Sequence, residues 1–386
     1  MKWKPTRAVE GRNGTVPVEP ISEQRAQGEL LRLLSIPSET GQEGAILSYL
    51  EARLEALGLP PFRQPVAEGR ENLIWASGPR PKLLITAHVD TVPFGGERGQ
   101  ERLRVEGGRV FGPGSADVKG GIAALLLALE HVMHKGSGGD SFAIAFTVDE
   151  EQGGAGSRVL PDAIRAEGAV VLEPTGLRLC TAQAGSLEVR ITLTGRAAHG
   201  SAFEAGENAI HRAAALITRF QTLRFVQATH LLVGSGGFNV MEVRGGRPIL
   251  LVPDRCELTV DFRILPGQDI AAAEEELRAL LAQEGATLEV VDASPPYSLR
   301  GTEAVVELMR EAYQEVLGRE ASLGGMKSWT DAQHLVAAGI PAVVFGPGDL
   351  AVSHTAWENV PVEEVVQAAR VLARAMEKTA RPSSPS

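Results

Sequence analysis

The segment Phe142–Val148 restricts the fold more than any other part of the chain. Its sequence is Phe-Ala-Ile-Ala-Phe-Thr-Val, so side chains on both faces of an extended strand are apolar except for one threonine. Such a strand is buried on both sides, as in parallel sheets covered by helices. The strand-like segments Lys82–Ala87 and Ala169–Leu172 are similar, and amphipathic helical patterns alternate with them. The sequence therefore predicts a large three-layer α/β domain with a mostly parallel sheet.

A second domain is predicted after residue 184, where apolar and polar residues begin to alternate, as in Leu187–Leu193. Strands of this kind, together with helices predicted at Asn208–Leu223 and Ile270–Gln283, describe a small ferredoxin-like α+β domain with solvent on one face of its sheet. A further strand is predicted at Ile249–Val252. Length favours two domains, although 386 residues could also form one. We expect the large domain at 20–184 and 296–380, and the inserted lid or dimerisation domain at 185–295.

Charge and composition exclude several classes of partner. The formal net charge is −10 and no run of basic residues is present, so a nucleic-acid partner is not expected. No window approaches the roughly 18 apolar residues that span a bilayer, and no secretory signal is recognisable, so we expect no membrane association. The two cysteines, Cys180 and Cys256, allow one disulfide or none and are interpreted as small buried hydrophobes. Their scarcity favours a cytoplasmic location.

Five polar residues share one context, because each follows an apolar strand or lies at the mouth of a glycine-rich turn. Ligands of open α/β sheets collect beyond the carboxyl ends of the strands, so these residues are expected to converge. Histidine nitrogen and carboxylate oxygen are zinc ligands, and two ions about 3.5 to 4 Å apart share a carboxylate. The sequence therefore predicts two Zn²⁺, for which Co²⁺ or Mn²⁺ could substitute. The five predicted ligands are His88, Asp117, Glu151, Glu173 and His354.

Two further acidic residues adjoin these ligands. Asp90 follows His88 by two residues, so on a strand it lies on the same side and is expected to orient the imidazole. Glu150 directly precedes Glu151, and adjacent side chains at a strand end point in different directions, so one can bind metal while the other transfers protons. A solvated acidic loop is the alternative. The tight turn predicted at Gly153–Gly156 argues against that alternative.

Six motifs resemble those of the co-catalytic zinc aminoacylase and carboxypeptidase family. That family contains acetylornithine deacetylase, succinyl-diaminopimelate desuccinylase and glutamate carboxypeptidase, and the resemblance extends from about residue 22 to 379. The motifs are His88-Val-Asp90, Gly114-Ser-Ala-Asp117-Val-Lys-Gly-Gly121, Asp149-Glu-Glu151-Gln-Gly-Gly, Leu172-Glu-Pro-Thr175, Gly195-Arg-Ala-Ala-His199-Gly-Ser and Ser353-His354-Thr.

The resemblance implies a division of the five ligands between two ions that share one carboxylate. Asp117 would bridge the ions, with His88 and Glu173 completing one, and Glu151 and His354 completing the other. It also implies a cis peptide bond between Asp117 and Val118. Glu150 would be the general base and then the general acid.

Residues outside the metal site are also implied by the resemblance. His199 would stabilise the oxyanion, often in the partner subunit of a homodimer formed through the inserted domain, although it could instead cap the next helix. Asn239 and Arg263 would bind the substrate, although Arg263 could be a surface ion-pair residue. Gly346 and Gly348 would line the substrate pocket.

The predicted reaction is hydrolysis of the amide bond of an N-acyl amino acid, as in acetylornithine deacetylase, with desuccinylase and glutamate carboxypeptidase or dipeptidase activity as alternatives. A short peptide is the other substrate class considered. A non-catalytic binding protein on the same fold is a remote alternative, because none of the ligands nor Glu150 is missing. Two segments depart from the family pattern and affect the expected substrate rather than the chemistry. They are Gly325-Met-Lys-Ser-Trp-Thr330-Asp331 and Ala356-Trp357-Glu358.

Overall fold

The computed structural model describes residues 20–93, 103–137, 141–247 and 249–379, which separate into two compact units. The first unit contains the described residues up to Thr181, Leu299–Leu323 and those from Thr330 onwards. The second unit contains Ala182–Ser298 and the separate segment Gly324–Trp329, which the expected domain ranges did not include. Residue 380, the expected end of the large domain, lies outside the described residues.

Helices and strands alternate along most of the first unit, and the elements of both units are numbered here in chain order. The helices are α1 Glu23–Leu34, α2 Gly44–Ala56, α3 Gly120–Lys135, α4 Ala155–Ala163, α5 Ala209–Arg219, α6 Arg224–Gln227, α7 Ile270–Gln283, α8 Ala304–Leu317, α9 Ala332–Ala337 and α10 Val362–Lys378. The strands are β1 Phe62–Ala67, β2 Arg70–Ala76, β3 Leu83–His88, β4 Arg104–Glu106, β5 Arg109–Phe111, β6 Phe142–Thr147, β7 Ala169–Val171, β8 Leu179–Gln183, β9 Gly185–Thr194, β10 Thr229–His230, β11 Gly234–Ser235, β12 Gly237–Gly245, β13 Arg255–Ile264, β14 Thr287–Ser294, β15 Tyr297–Ser298, β16 Leu323–Met326, β17 Ala342–Val344 and β18 Asn359–Pro361.

The central sheet has the order β1-β2-β6-β3-β7-β17-β8. Its middle strands β6, β3, β7 and β17 are parallel, and the strands at either side join antiparallel. Every residue of β3 and β6 is buried, as the apolar runs predicted. Helix α3 packs against α1 and α10, while α4 packs against α9. The predicted fold class, a large α/β domain with a mostly parallel sheet and a small α+β domain, is confirmed.

The second unit is built on the antiparallel sheet β12-β13-β9-β14. Burial alternates along β9, and the buried face packs with α5 and α7 around a core of its own. The rings of Phe220, Phe238 and Phe262 lie 5.2 to 5.7 Å apart in this core. Helix α7 has the predicted limits.

One predicted strand of the second unit is wrong. Ile249 and Leu250 are exposed and outside any strand, and Leu251 forms only an isolated bridge with His199. The run lies between Pro248 and Pro253 in the sequence, and proline has no N–H to donate to a strand partner. Apolar composition alone therefore does not make a strand here.

Both cysteines are free and buried, in agreement with their interpretation as small hydrophobes. Burial raises the pKa of the Cys180 thiol to about 11. Among the described residues, no helix has the length and apolar character needed to cross a membrane.

Candidate metal centre

The parallel order of the sheet brings three of the predicted site segments together. Strand β3 ends at His88, and Thr147, its partner in register, is the last residue of β6. Glu150 and Glu151 follow β6, while Glu173 follows β7 on the other side of β3. Since the carboxyl ends of neighbouring parallel strands lie at one edge, these side chains converge there.

Asp117 lies between two groups of potential ligands. Its Oδ1 is 3.0 Å from His88 Nε2, and its Oδ2 is 3.6 Å from His354 Nε2. His88, Asp117 and Glu173 form one group whose ligand atoms lie within 4.8 Å of one another, and Asp117, Glu151 and His354 form another. On the first side His88 Nε2 lies 3.8 Å from Glu173 Oε1, and on the second His354 Nε2 lies 3.0 Å from Glu151 Oε2. The structure thus brings all five predicted ligands together.

The peptide bond between Asp117 and Val118 is cis, which confirms the prediction made from the family resemblance.

The three acidic residues after β6 have different surroundings. Asp149 has φ 73°, pairs with Arg70 at 2.7 Å and accepts a hydrogen bond from the backbone N–H of Ala155. Glu150 instead forms a third potential ligand group with His88 and Glu151. Burial raises the pKa of Glu150 well above its usual value, and the negative charges of Glu151 and other carboxylates add to the effect. A carboxyl group that binds protons strongly at this place is suited to proton transfer.

The chemistry of the cluster fits a metal cation. The Oε1 of Glu173 is buried and accepts no hydrogen bond from the described residues. Burial and the nearby Asp117 carboxylate raise the pKa of Glu173 well above its usual value. Burial alone would lower the pKa of His88, but its contacts with Asp117 and Asp90 raise it. A bound cation would balance these carboxylates and displace protons from the ligands.

Asp90 contacts His88 and also supports the turn that follows β6. The Nδ1 of His88 lies 3.0 Å from the backbone oxygen of Asp90 and 3.6 Å from its carboxylate Oδ1. The carboxylate accepts hydrogen bonds from the backbone N–H groups of Glu150 and Glu151 and from the Thr40 hydroxyl. The backbone oxygen and the carboxylate of Asp90 thus both face the imidazole, and the carboxylate also fixes the turn that carries the two glutamates.

Glu358 supports the other side of the site, a role that the sequence did not indicate. It is only 2% exposed, and its carboxylate accepts hydrogen bonds from the backbone N–H groups of Gly114, Ala116 and Asp117 at 2.9 to 3.1 Å. Burial raises the pKa of Glu358 to about 7 in spite of these three donors. Because Glu358 follows His354 by four residues, it links the segment of one predicted ligand to the loop of another. The only signal in the sequence was an acidic residue four positions after a predicted ligand.

His199 lies in the second unit, whereas the five predicted ligands belong to the first. Its ring is exposed, and Nδ1 lies 2.8 Å from the Ser201 hydroxyl. The alternative that His199 caps the next helix is wrong, because the side chain of Asn208 accepts the first-turn hydrogen bonds of α5.

The two predicted substrate-binding side chains line one cavity of the second unit. Asn239 and Arg263 both face this cavity of about 290 Å³, together with Asp261 and Lys327. The Arg263 guanidinium pairs with Asp261 at 2.7 Å, so the ion pair considered as an alternative does exist.

The predicted pocket-lining glycines are buried. Gly346 approaches the backbone of Glu173 so closely that an added Cβ would lie 2.6 Å from the Glu173 carbonyl oxygen. Gly348 has φ 94° and donates its N–H to the Glu364 carboxylate. Gly346 therefore allows the close approach to the segment that carries Glu173, and Gly348 passes close to Ala116.

Comparison with known proteins identifies similar sequences. The model of peptidase family M20/M25/M40 matches residues 84–378. An acetylornithine deacetylase from Myxococcus xanthus is 31% identical over 357 residues, covering 86% of this chain and 91% of the relative. A succinyl-diaminopimelate desuccinylase from Corynebacterium glutamicum is 28% identical over 362 residues, covering 88% of this chain and 93% of the relative.

Solved structures share the fold. A tripeptidase from Staphylococcus aureus has a TM-score of 0.79 at 23% identity, covering 94% of this chain and all of that chain. An M20 family metallo-carboxypeptidase from Sulfolobus solfataricus has a TM-score of 0.74 at 19% identity, covering 92% of this chain and 99% of that chain. At these identities the likeness concerns the architecture and not the substrate.

Proposed function

The chain belongs to peptidase family M20/M25/M40 and is a metal-dependent hydrolase, and on this premise we propose that it cleaves the amide bond of an N-acyl amino acid. The observation that supports this proposal best is the position of Asp117, which belongs to both ligand groups. One shared carboxylate with a histidine and a second carboxylate on each side is the arrangement that two neighbouring zinc ions require.

The five ligands would hold two Zn²⁺, with Co²⁺ or Mn²⁺ as substitutes. Asp117 would be common to both, His88 and Glu173 would hold the first, and Glu151 and His354 would hold the second. When bound, the ions supply Lewis-acid chemistry, polarising the scissile carbonyl and lowering the pKa of water.

Glu150 would transfer protons. Its carboxylate would remove a proton from the attacking water and then deliver it to the nitrogen of the departing amine. His199 would donate a hydrogen bond to the oxyanion as the tetrahedral intermediate forms. The position of Glu150 supports this role, because its carboxylate lies within 4.8 Å of ligand atoms of His88 and Glu151.

The substrate proposed first is an acetylated amino acid of the N-acetylornithine type, by analogy with the Myxococcus xanthus relative. The Corynebacterium glutamicum relative supports a second candidate, an N-succinyl amino acid. Purified protein loaded with zinc should therefore be assayed against N-acetyl and N-succinyl amino acids, with glutamate-releasing substrates and dipeptides as a third group. Failure to cleave any of these amides would contradict the proposed function and would favour the binding-protein alternative.

The mechanism has a separate test in Glu150→Gln. This change keeps the size of the side chain but removes its ability to accept a proton, so kcat should fall by at least about 100-fold. Metal content, measured by mass spectrometry, should stay at the wild-type value. Glu55→Gln is the matched control, since Glu55 is an exposed residue of α2. Wild-type kcat in Glu150→Gln would refute the assignment of Glu150.

We also propose a homodimer formed through the second unit and a cytoplasmic location. Strand β12 is at the edge of its sheet, and Met241 and Val243 on this strand are exposed apolar residues. Exposed edge strands of this kind pair readily with another chain. Light scattering of the wild type and of a Val243→Lys variant tests the dimer, because a charge at this edge should favour the monomer.

A further inference from the structure

We infer that Lys327 is a specificity-determining residue, which gives the cavity of the second unit its preference for a carboxylate group. This inference rests on the proposed function and makes its substrate class more specific. Lys327 belongs to the Gly325–Asp331 segment, which departs from the family pattern.

The charges that line the cavity indicate an anionic ligand. Among the described residues that line it, Arg263 and Lys327 are the cations and Asp261 is the one acidic residue. Asp261 already pairs with Arg263 and accepts a hydrogen bond from the Ser186 hydroxyl. The charge of Arg263 is therefore balanced within the protein, and the excess positive charge of the cavity belongs to Lys327. The chain as a whole has a net charge of −10, so the excess positive charge of the cavity is opposite in sign to that of the chain.

Arg263 retains hydrogen-bonding capacity after this pairing. Its Nη1 is buried and donates no hydrogen bond to the described residues. A buried donor without an acceptor is unfavourable, so a ligand oxygen here would be stabilising. The exposed Asn239 amide lines the same cavity. Arg263 and Asn239 thus offer directional donors, while Lys327 offers the uncompensated charge.

The backbone that carries Lys327 is held in place. The N–H of Ala184 donates to the carbonyl of Met326 at 2.9 Å. Gly325 passes close to the backbone of Leu232 and Val233, since an added Cβ would lie 3.0 Å from the Val233 nitrogen. These contacts fix the residues directly before Lys327.

The side chain of Lys327 lies over a glycine turn. A Cβ added at Gly234 would be 3.4 Å from Lys327 Cε and 3.8 Å from Nζ. Lys327 makes no ion pair with the described residues. Gly234 also has φ +89°, so its backbone favours glycine at the place where the lysine stem passes. The ammonium is therefore presented next to the cavity and free to pair with a ligand.

The carboxylate could belong to the amino-acid part of the substrate or to a dicarboxylic acyl group. Two pairs of substrates distinguish these sources. N-acetylornithine is compared with its α-carboxamide, and an N-succinyl amino acid is compared with the half-amide of the same succinyl group. For each pair we compare kcat/KM of the acid with kcat/KM of its amide. In the pair whose carboxylate enters the cavity, Lys327→Met should lower this acid-to-amide ratio about tenfold. Lys327→Arg keeps the positive charge and should keep most of the ratio.

The control is Lys82→Met, which changes the net charge equally but lies directly before β3 in the first unit. Binding of succinate, measured by calorimetry, gives a readout that does not require turnover. Succinate should bind about tenfold more weakly to Lys327→Met than to the wild type and the Lys82→Met control. Equal binding in all three proteins, or equal acid-to-amide ratios, would overturn the inference. If wild type cleaves no amide but the difference in succinate binding remains, the proposed function fails while the role of Lys327 stands.

Discussion

Replacement of Glu358 by alanine tests whether the loop around Asp117 is positioned by this side chain. The change removes the acceptor of three buried backbone N–H groups. Each unsatisfied donor costs about 1–3 kcal/mol, or roughly 3–9 kcal/mol together if water stayed out. Water can enter the space left by the side chain and accept hydrogen bonds from some of these N–H groups, so we expect a loss of stability of about 3–4 kcal/mol. Since Asp117 lies in this loop, metal affinity should fall about 10- to 100-fold, as for other residues that orient ligands.

The assay is a competition between protein and a chelator for zinc, combined with unfolding of the metal-free protein in urea. The matched control is Glu303→Ala, because the Glu303 carboxylate also accepts two backbone N–H groups, those of Arg300 and Gly301, away from the metal centre. That control should lose stability and keep its metal affinity. If Glu358→Ala binds zinc as tightly as Glu303→Ala, the positioning role is wrong.

Three more predictions concern other parts of the chain. In the folded protein Cys180 should resist thiol reagents at pH 8, because burial raises its pKa from 9.0 to about 11. The contribution of the neutral thiol to stability is complete below pH 9 and is lost as the pH rises towards 11. Rapid labelling of Cys180 in the native protein, seen by peptide mass spectrometry, would contradict the expected resistance. Gly346→Ala should lower both thermal stability and metal content, since its Cβ would lie 2.6 Å from the Glu173 carbonyl oxygen, whereas Gly28→Ala on the open face of α1 should leave metal content unchanged. Asn208→Ala should destabilise the second unit by about 1 kcal/mol through loss of the cap of α5, and an unchanged urea midpoint would show that the cap contributes little.

Much of the fold was predictable because the buried faces of strands consist of apolar residues, which form recognisable patterns in the sequence. The continuous apolar run of β6 and the alternation in β9 arise from strands with two buried faces and one buried face respectively. The short strand β8 was missed, although all of its residues are buried. Its sequence, Leu-Cys-Thr-Ala-Gln, lacks any strong pattern, and it is held by pairing with strands distant in the sequence.

In the candidate metal centre, the positions of the predicted ligands could be inferred from the sequence, but the residues that support them could not. His88 and Glu173 follow apolar strands, so their place at the edge of the sheet follows from chain direction. Glu358 does not follow such a strand, and its partners are backbone N–H groups more than 240 residues away in the sequence. Every residue except proline carries the same backbone N–H group, so a hydrogen bond to this group leaves no pattern that a sequence reveals.

The sequence by itself determined the α/β class, the types of candidate ligand and the adjacent pair Glu150 and Glu151, because these depend on residue chemistry and local periodicity. Only the tertiary structure decided that Asp117 lies between two groups of potential ligands, that the Asp90 carboxylate holds the glutamate turn, and that Lys327 lines the cavity with Arg263 and makes no ion pair with the described residues. The physical reason is that distance and charge compensation depend on groups far apart in the chain. Electrostatic interactions act between neighbours in space, and neighbours in space are set by the fold.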